Sequence, residues 1–212
     1  MSDLYSDLSD AVIAGNIETI KKLVNQALAG GDDAQTVLDR GLLNGMHVVG
    51  ERFKLGEMFI PEVMLVARAM RTGMEILRPA LREKGARAGG TVVIGTVQGD
   101  LHNIGKNLVA MMLEGAGFQV IDLGIDVKPQ AFVRAVADHK PDIVALSALL
   151  STTMLRMADT INALQEAGMR DQVKIMAGGA PVTEEFVKNI GADGYASNAG
   201  AAVDKAKELL GR

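Results

Sequence analysis

The segment Gly99–Gly105, Gly-Asp-Leu-His-Asn-Ile-Gly, contains the residues best suited to chemistry in this chain. Asp100 lies two positions before His102. A carboxylate so placed can hydrogen-bond one ring nitrogen of the histidine and leave the other to bind a metal. The apolar run Thr91–Val97 precedes the segment and predicts a buried strand, and the residues after it predict a helix. In open α/β sheets, ligands bind at this carboxyl end of a strand.

From Thr91 onward, the pattern alternates between strands and helices. Strands are predicted at Val92–Val97, Gln119–Asp122, Ile143–Ser147, Lys174–Ala177 and Gly194–Ser197. Helices are predicted at Ile104–Glu114, Pro129–Asp138, Thr152–Glu166, Thr183–Asn189 and Ala199–Leu210. This alternation predicts a five-stranded parallel sheet, covered by helices on both faces, with the flavodoxin/Rossmann-like strand order 2-1-3-4-5.

The first part of the chain has apolar residues at helical spacing. This spacing predicts four helices, at about residues 4–13, 17–28, 34–53 and 61–77. Short turns join them, as is typical of a four-helix bundle. A polar, glycine-rich segment at 83–90 predicts a linker that could act as a hinge. We therefore expect a helical domain at 1–88 and an α/β domain at 89–212.

The composition limits the classes of function. The 212 residues contain no cysteine, which excludes disulfides, thiolate metal sites and a cysteine nucleophile and suits a reducing cytoplasm. The net charge of -4 lacks the basic surface typical of nucleic-acid binding. The first ten residues lack a signal-peptide pattern, and charges or glycines break the longer apolar runs. We expect a cytoplasmic protein that binds neither nucleic acid nor membrane.

The loops after three of the predicted strands would meet at one edge of the sheet. They contain Asp100, His102 and Gly105 after strand one, Ser147, Leu149, Ser151 and Thr153 after strand three, and Gly178 and Gly179 after strand four. Hydroxyls supply small donors and acceptors, and a glycine pair lets a large ligand approach the backbone closely. Taken singly, Asp100 and the hydroxyls could be ordinary helix caps. Their common edge favours a binding site.

Three motifs in these loops form a recognisable set. They are Asp100-x-His102-x-x-Gly105, Ser147-x-Leu149 and Gly178-Gly179. Together they resemble the signature of cobalamin-binding methyltransferase domains, found in methionine synthase and in the small corrinoid proteins of methylamine, methanol and glycine-betaine methyltransferase systems. The first half also resembles the four-helix cap of that family, through segments 45–53 and 56–61. The resemblance covers nearly the whole chain.

This resemblance implies a role for each site residue. It implies a corrinoid bound base-off and His-on, with His102 as the lower cobalt ligand, Asp100 hydrogen-bonded to the other ring nitrogen, and Thr153 extending this relay. The other implied cofactor-binding residues are Gly105, Ser147, Leu149, Ser151, Gly178 and Gly179 in the sheet domain and Phe53 and Ile60 in the cap. Ser151 and Thr153 stand where methionine synthase has Thr and Ser, so both hydroxyls are kept.

The implied function is that of a methyl carrier whose cobalt cycles between Co(I) and methyl-Co(III). Its implied partners are a substrate-specific methyltransferase, an acceptor methyltransferase of the tetrahydrofolate or coenzyme M type, and a reductive activator. We expect no turnover by this chain alone. Three alternatives stay open: a cobalamin-binding sensor, a hydrolase or isomerase that uses Asp100 and His102 as an acid–base pair, and a flavodoxin-like nucleotide binder.

Overall fold

The chain forms two compact units in a computed structural model that describes residues 3–83 and 89–211. One unit contains the residues up to Gly89 together with Glu114–Phe118. The other contains Gly90–Leu113 and the residues from Gln119 onward. Most of the predicted linker, residues 84–88, lies outside the described residues. The domain boundary between residues 88 and 89 therefore stays a prediction.

The first unit is built from helices. In chain order they are α1 (Leu4–Ile13), α2 (Ile17–Ala29), α3 (Ala34–Val37), a π-helical segment (Leu38–Leu43), α4 (Asn44–Lys54) and α5 (Ile60–Glu83). Asp3, Asn16 and Asp33 cap α1, α2 and α3, because each side chain accepts a backbone N–H of the first turn. The core is aliphatic, with Leu8 and Leu42 completely buried.

The predicted third helix, residues 34–53, contains a π-helical segment that the sequence pattern does not predict. Glycines let this stretch pack closely against α1. A Cβ at Gly41 would lie 2.4 Å from Leu8 Cδ2, and a Cβ at Gly45 would lie 2.7 Å from the carbonyl oxygen of Ser9. The close approach of the two helices therefore depends on the absence of side chains at these positions.

Helix α5 is longer than predicted. It has 24 residues and contains Pro79, so this proline does not end the helix. Pro79 lies in the second-last turn, and it lacks the N–H that would have donated to the carbonyl oxygen of Glu75. No helix in residues 3–83 or 89–211 combines the length and the apolar composition needed to cross a membrane.

The second half of the chain forms a parallel sheet with helices. In the described residues the sheet has five strands in the order β2-β1-β3-β4-β5, as predicted. The strands are β1 (Thr91–Thr96), β2 (Gln119–Asp122), β3 (Ile143–Ser147), β4 (Lys174–Gly178) and β5 (Gly194–Ala196). The helices are α6 (Ile104–Gly115), α7 (Pro129–His139), α8 (Ser151–Met154), α9 (Arg156–Glu166), α10 (Glu184–Asn189) and α11 (Ala199–Leu209). The predicted fold class, a helical bundle followed by a Rossmann-like five-stranded parallel sheet, is confirmed.

The strand register brings the carboxyl ends of the strands to one line. Thr96 pairs with Ser147. Gly178 pairs with Ser147 on one side and with Ala196 on the other. β1 and β3 are buried along almost their whole length, as expected for central strands covered on both faces. The loops that leave this line therefore lie at the same edge of the sheet.

The predicted helix Thr152–Glu166 is divided in two. α8 ends at Met154, and α9 begins at Arg156. Between them, the Leu155 carbonyl accepts the N–H of Ala158 at 3.2 Å, a spacing of three residues that is tighter than that of an α-helix. This division separates the short helix α8, which belongs to the edge of the sheet, from α9, whose apolar side packs in the core.

Candidate functional site

The carboxylate of Asp100 is the most enclosed charged group at this edge, with no exposed surface. Its Oδ1 accepts the backbone N–H of His102 at 3.0 Å and the Nδ1–H of the same residue at 2.7 Å. Its Oδ2 accepts the hydroxyl of Thr153 at 2.5 Å and the N–H of Leu149 at 2.8 Å. The N–H of Leu150 lies 3.4 Å from the same oxygen. Both oxygens of the buried carboxylate are therefore satisfied.

These donors decide the charge state of Asp100. Burial raises the pKa of the Asp100 carboxyl, because it removes water from the charged form. The hydrogen bonds from Thr153, Leu149 and His102 have the larger combined effect and hold this pKa well below its usual range. Asp100 is therefore ionised at neutral pH and can only accept hydrogen bonds.

The ionised Asp100 fixes the tautomer of His102. Since the carboxylate has no hydrogen to donate, Nδ1 must carry the hydrogen of the 2.7 Å bond. In the neutral imidazole Nε2 then has a free lone pair, and none of the described residues bonds to it. The His102 side chain is 49% exposed, so a group from outside can reach it. A neutral imidazole held in this way is a good metal ligand.

Two residues that the sequence analysis missed also support this loop. The buried Thr96 donates its hydroxyl to the carbonyl oxygen of His102 at 2.8 Å. Asp126, in the loop after β2, accepts the N–H of Gly99 and donates its own N–H to the carbonyl oxygen of Asp100. The predicted strand order places β2 next to β1, so the loop after β2 lies at the same edge as the loop after β1. This adjacency was the sequence signal that could have identified Asp126.

The remaining predicted residues of the first and third strand loops lie at this edge too. Gly105 is exposed in the first turn of α6, and a Cβ there would meet no atom within 4 Å beyond its chain neighbours and the backbone of its own helix. Ser147 is half-buried at the end of β3. Leu149 is 44% exposed, and Ser151 is exposed at the start of α8. The edge thus has open space beside polar and apolar groups.

The two glycines at the carboxyl end of β4, Gly178 in the strand and Gly179 after it, are required by close packing. A Cβ at Gly178 would lie 2.7 Å from the carbonyl oxygen of Ala196. Gly179 has a φ of 139°, and a Cβ there would lie 1.8 Å from the carbonyl oxygen of Ala148. These contacts explain both glycines structurally, and their role beside a cofactor tail stays a prediction.

The predicted cap residues lie in the helical unit. Phe53 is half-buried near the end of α4, and Ile60 begins α5 and is 41% exposed. Between them, Leu55 and Phe59 are exposed to 72% and 68%. This turn therefore presents several apolar side chains. The role of Phe53 and Ile60 over a corrinoid stays a prediction.

The protein ligand atoms at this edge suit a metal whose other ligands come from a cofactor. Within the described residues, no group of three or more His, Cys, Asp or Glu could hold a metal ion. His102 offers a single nitrogen, and the neighbouring Leu101, Ile104 and Leu149 are exposed apolar side chains. A corrinoid supplies the equatorial nitrogens of its cobalt and has a large, mainly apolar ring. The residues present at this edge therefore fit a corrinoid.

Comparison with known proteins defines the class. Two family models, both described as B12 binding domain, match residues 4–78 and residues 90–204. The chain belongs to this B12-binding family.

Individual relatives narrow this class to corrinoid proteins. Trimethylamine corrinoid protein 1 from Methanosarcina acetivorans is 43% identical over 210 residues, which cover 98% of this chain and 97% of the relative. A cobalamin-binding protein from Desulfitobacterium hafniense has a crystal structure with a TM-score of 0.81 at 34% identity, covering 99% of both chains. The methanol:cobalamin methyltransferase complex from Methanosarcina barkeri gives a TM-score of 0.84 at 31% identity, covering 99% of this chain and 80% of that chain. The predicted resemblance to corrinoid proteins of methyltransferase systems is confirmed.

Proposed function

We propose that this protein is a corrinoid methyl carrier, which receives a methyl group from a substrate methyltransferase and passes it to an acceptor methyltransferase. The observation that supports this most directly is the buried Asp100 carboxylate, which fixes His102 with one ring nitrogen left for cobalt. Similarity to a trimethylamine corrinoid protein along almost the whole chain supports the same function. It also makes methylated amines the substrate class that we propose first.

We propose that the corrinoid is bound base-off and His-on, with His102 Nε2 as the lower ligand. When bound, this cofactor supplies a cobalt centre that can take up and release a methyl group. Asp100 keeps the hydrogen on Nδ1 and increases the electron density that the imidazole can donate. Thr153 in turn holds Asp100 in its ionised form. These three residues set the strength and direction of the protein ligand.

Other residues are proposed to hold the cofactor by shape and hydrogen bonds. Along the tail and lower face we propose Gly105, Ser147, Leu149, Ser151, Gly178 and Gly179. Open space at Gly105 supports close approach there, and the Ser147 and Ser151 hydroxyls offer donors and acceptors. We propose that the half-buried Phe53 and the exposed Ile60 shield the upper face from water, as apolar groups can do.

The proposed carrier needs partner proteins. They are a substrate-specific methyltransferase, an acceptor methyltransferase of the tetrahydrofolate or coenzyme M type, and a reductive activator. Similarity to a chain of a methanol:cobalamin methyltransferase complex supports the first of them. We propose that His102, oriented by Asp100, binds the metal of the cofactor and that the chain has no turnover alone. The proposed location is the cytoplasm, which the cysteine-free composition supports.

A labelling experiment tests the carrier function. Purified protein is loaded with hydroxocobalamin, freed of unbound cofactor by gel filtration, chemically reduced and treated with radiolabelled methyl iodide. We expect corrinoid-dependent label equal in amount to the bound corrinoid. Protein without corrinoid, treated in the same way, measures direct alkylation of methionine and histidine side chains, and only the label above this control should equal the bound corrinoid. Retention of corrinoid without uptake of label would contradict the carrier function.

A further inference from the structure

We infer that Asp126 is a positioning residue for the Asp100–His102 pair, an inference that rests on the proposed ligation of a corrinoid by His102. Asp126 lies in the loop between β2 and α7. Its Oδ1 accepts the N–H of Gly99 at 2.7 Å. Its backbone N–H donates to the carbonyl oxygen of Asp100 at 3.0 Å. One residue thus holds two successive residues of the segment that leads to His102.

The backbone conformation of Asp126 is part of this arrangement. Its φ is 52°, in the left-handed region that few residues other than glycine adopt. Gly99 also has a positive φ, of 83°. Aspartate and asparagine tolerate the left-handed region better than alanine does. Aspartate at position 126 and glycine at position 99 therefore both tolerate the positive φ that this turn requires, whereas most other residues would be strained there.

The loop that contains Asp126 is fixed to β1 by backbone hydrogen bonds. The carbonyl oxygen of Gly124 accepts the N–H of Thr96 at 3.0 Å. The N–H of Val127 donates to the carbonyl oxygen of Thr96 at 2.9 Å. These bonds lie on either side of Asp126 in the sequence. They make Asp126 part of the sheet edge, so it can act as a fixed support for its neighbours.

An ion pair fixes the same loop to α6. Asp122, the last residue of β2, accepts the N–H of Gly124 through Oδ1 at 2.8 Å. Its other oxygen is paired with the ammonium group of Lys106, whose side chain is 1% exposed. Lys106 lies in the first turn of α6, directly after the segment that contains His102. The loop that contains Asp126 is therefore connected to Gly99 at the start of the segment Gly99–Gly105 and to Lys106 directly after it.

Asp100 is thus held in two independent ways. Thr153 and Leu149 hold its side chain, and Asp126 holds its backbone. Without the Asp126 carboxylate as acceptor of the Gly99 N–H, the segment from Gly99 onward would sample more conformations, and His102 would be in position to bind cobalt in fewer of them. The apparent affinity for the cofactor falls in proportion to the fraction of competent conformations. Asp126 therefore acts on ligation through Asp100 and His102, without contacting the metal.

Three substitutions at this position separate the acceptor from the backbone conformation. Asp126→Asn keeps an acceptor oxygen and tolerates the positive φ. Asp126→Gly keeps the positive φ without strain but loses the acceptor. Asp126→Ala loses both. Asp138→Ala, at an exposed aspartate of α7, controls for the loss of one surface charge.

The first measurement uses the protein without cofactor. Amide hydrogen exchange of Gly99, followed by NMR, should be about tenfold faster in Asp126→Gly and Asp126→Ala, the scale of one hydrogen bond to a charged acceptor. Asp126→Asn and Asp138→Ala should exchange close to the wild-type rate. Unchanged exchange of Gly99 in Asp126→Gly would overturn the inference, whatever the cofactor does.

The second measurement uses the protein loaded with cobalamin. For Asp126→Gly we expect a dissociation constant raised about tenfold and a smaller fraction of histidine-ligated Co(II) in the EPR spectrum, with recovery in Asp126→Asn. A wild-type histidine-ligated fraction in Asp126→Gly would overturn the inference. Wild-type protein that binds no cobalamin would instead contradict the proposed function, and Gly99 exchange would still test the contact itself.

Discussion

At the scale of single residues, the site depends on a buried charge that local donors stabilise. Asp100 would be costly to bury alone, since an ionised carboxylate without partners loses its hydration. The hydroxyl of Thr153 and the N–H of Leu149 replace water on one oxygen, and His102 replaces it on the other. The charge that orients the imidazole is therefore maintained by a neighbouring loop of the sheet.

The Thr153 hydroxyl can be tested by a matched pair of substitutions. Thr153→Val removes the donor and leaves Asp100 with an incompletely satisfied oxygen, so the free energy of unfolding should fall by about 1–3 kcal/mol. Thr153→Ser keeps the hydroxyl and should lose less. Urea denaturation of the cofactor-free protein at neutral pH measures both. Equal stability of Thr153→Val and the wild type would show that the hydrogen bond contributes nothing to folding.

The ionisation of Asp100 predicts a dependence of stability on pH. Its pKa is depressed in the folded state, so its charge stabilises the fold above the ordinary carboxyl pKa near 4, and this contribution is lost as the pH falls through the folded pKa. Asp100→Asn lacks this contribution. The difference in unfolding free energy between the wild type and Asp100→Asn should therefore be largest at pH 7 and smaller at pH 3. If urea denaturation gave the same difference in unfolding free energy at pH 7 and at pH 3, the depressed pKa of Asp100 would be contradicted.

At the scale of secondary-structure elements, small residues determine how closely segments pack. Gly45 lets α4 approach α1, and Gly179 lets the loop after β4 approach Ala148. Gly105, also in a helix, has open space instead. Glycines therefore serve packing at some positions and lie beside open space at another.

This contrast gives a prediction about stability. Gly45→Ala places a methyl group 2.7 Å from the Ser9 carbonyl oxygen, so the free energy of unfolding should fall by about 1–3 kcal/mol, despite the better helix propensity of alanine. Gly105→Ala is the matched control, because it adds the same methyl group to a helix without a contact. It should be as stable as the wild type or slightly more stable. If chemical denaturation showed Gly45→Ala to be more stable than Gly105→Ala, the close packing of α4 against α1 would be contradicted.

The elements differ in how well the sequence predicts them. β1 and β3 follow from mainly apolar runs, and the strand order follows from the alternation of strands and helices. The π-helical segment Leu38–Leu43 was not predicted, because its apolar spacing is also compatible with a regular helix.

Asp126 was not predicted either, since its positive φ and its contact with Gly99 depend on tertiary structure. Asp100 and His102 were found because they are close in sequence and follow a clear strand.

At the scale of the whole molecule, the described residues provide a sheet edge at which His102 keeps one ring nitrogen without a protein partner. A metal enzyme that binds its ion by side chains alone needs several ligands close together, and none of the described residues forms such a group. One oriented imidazole is instead suited to a cofactor that carries its own ligands. The B12-binding models match both halves of the chain, which agrees with this arrangement.

The ligation of cobalt by His102 is tested most directly by EPR of the cobalamin-loaded protein in the Co(II) state. Samples uniformly labelled with ¹⁵N should show a changed nitrogen hyperfine pattern relative to unlabelled protein, because the axial ligand comes from the protein and the cobalamin is unlabelled. His102→Ala should bind cobalamin more weakly and lose this isotope effect, whereas His139→Ala, at an exposed position, should keep it. Persistence of the isotope effect in His102→Ala, or its absence in the wild type, would contradict the account.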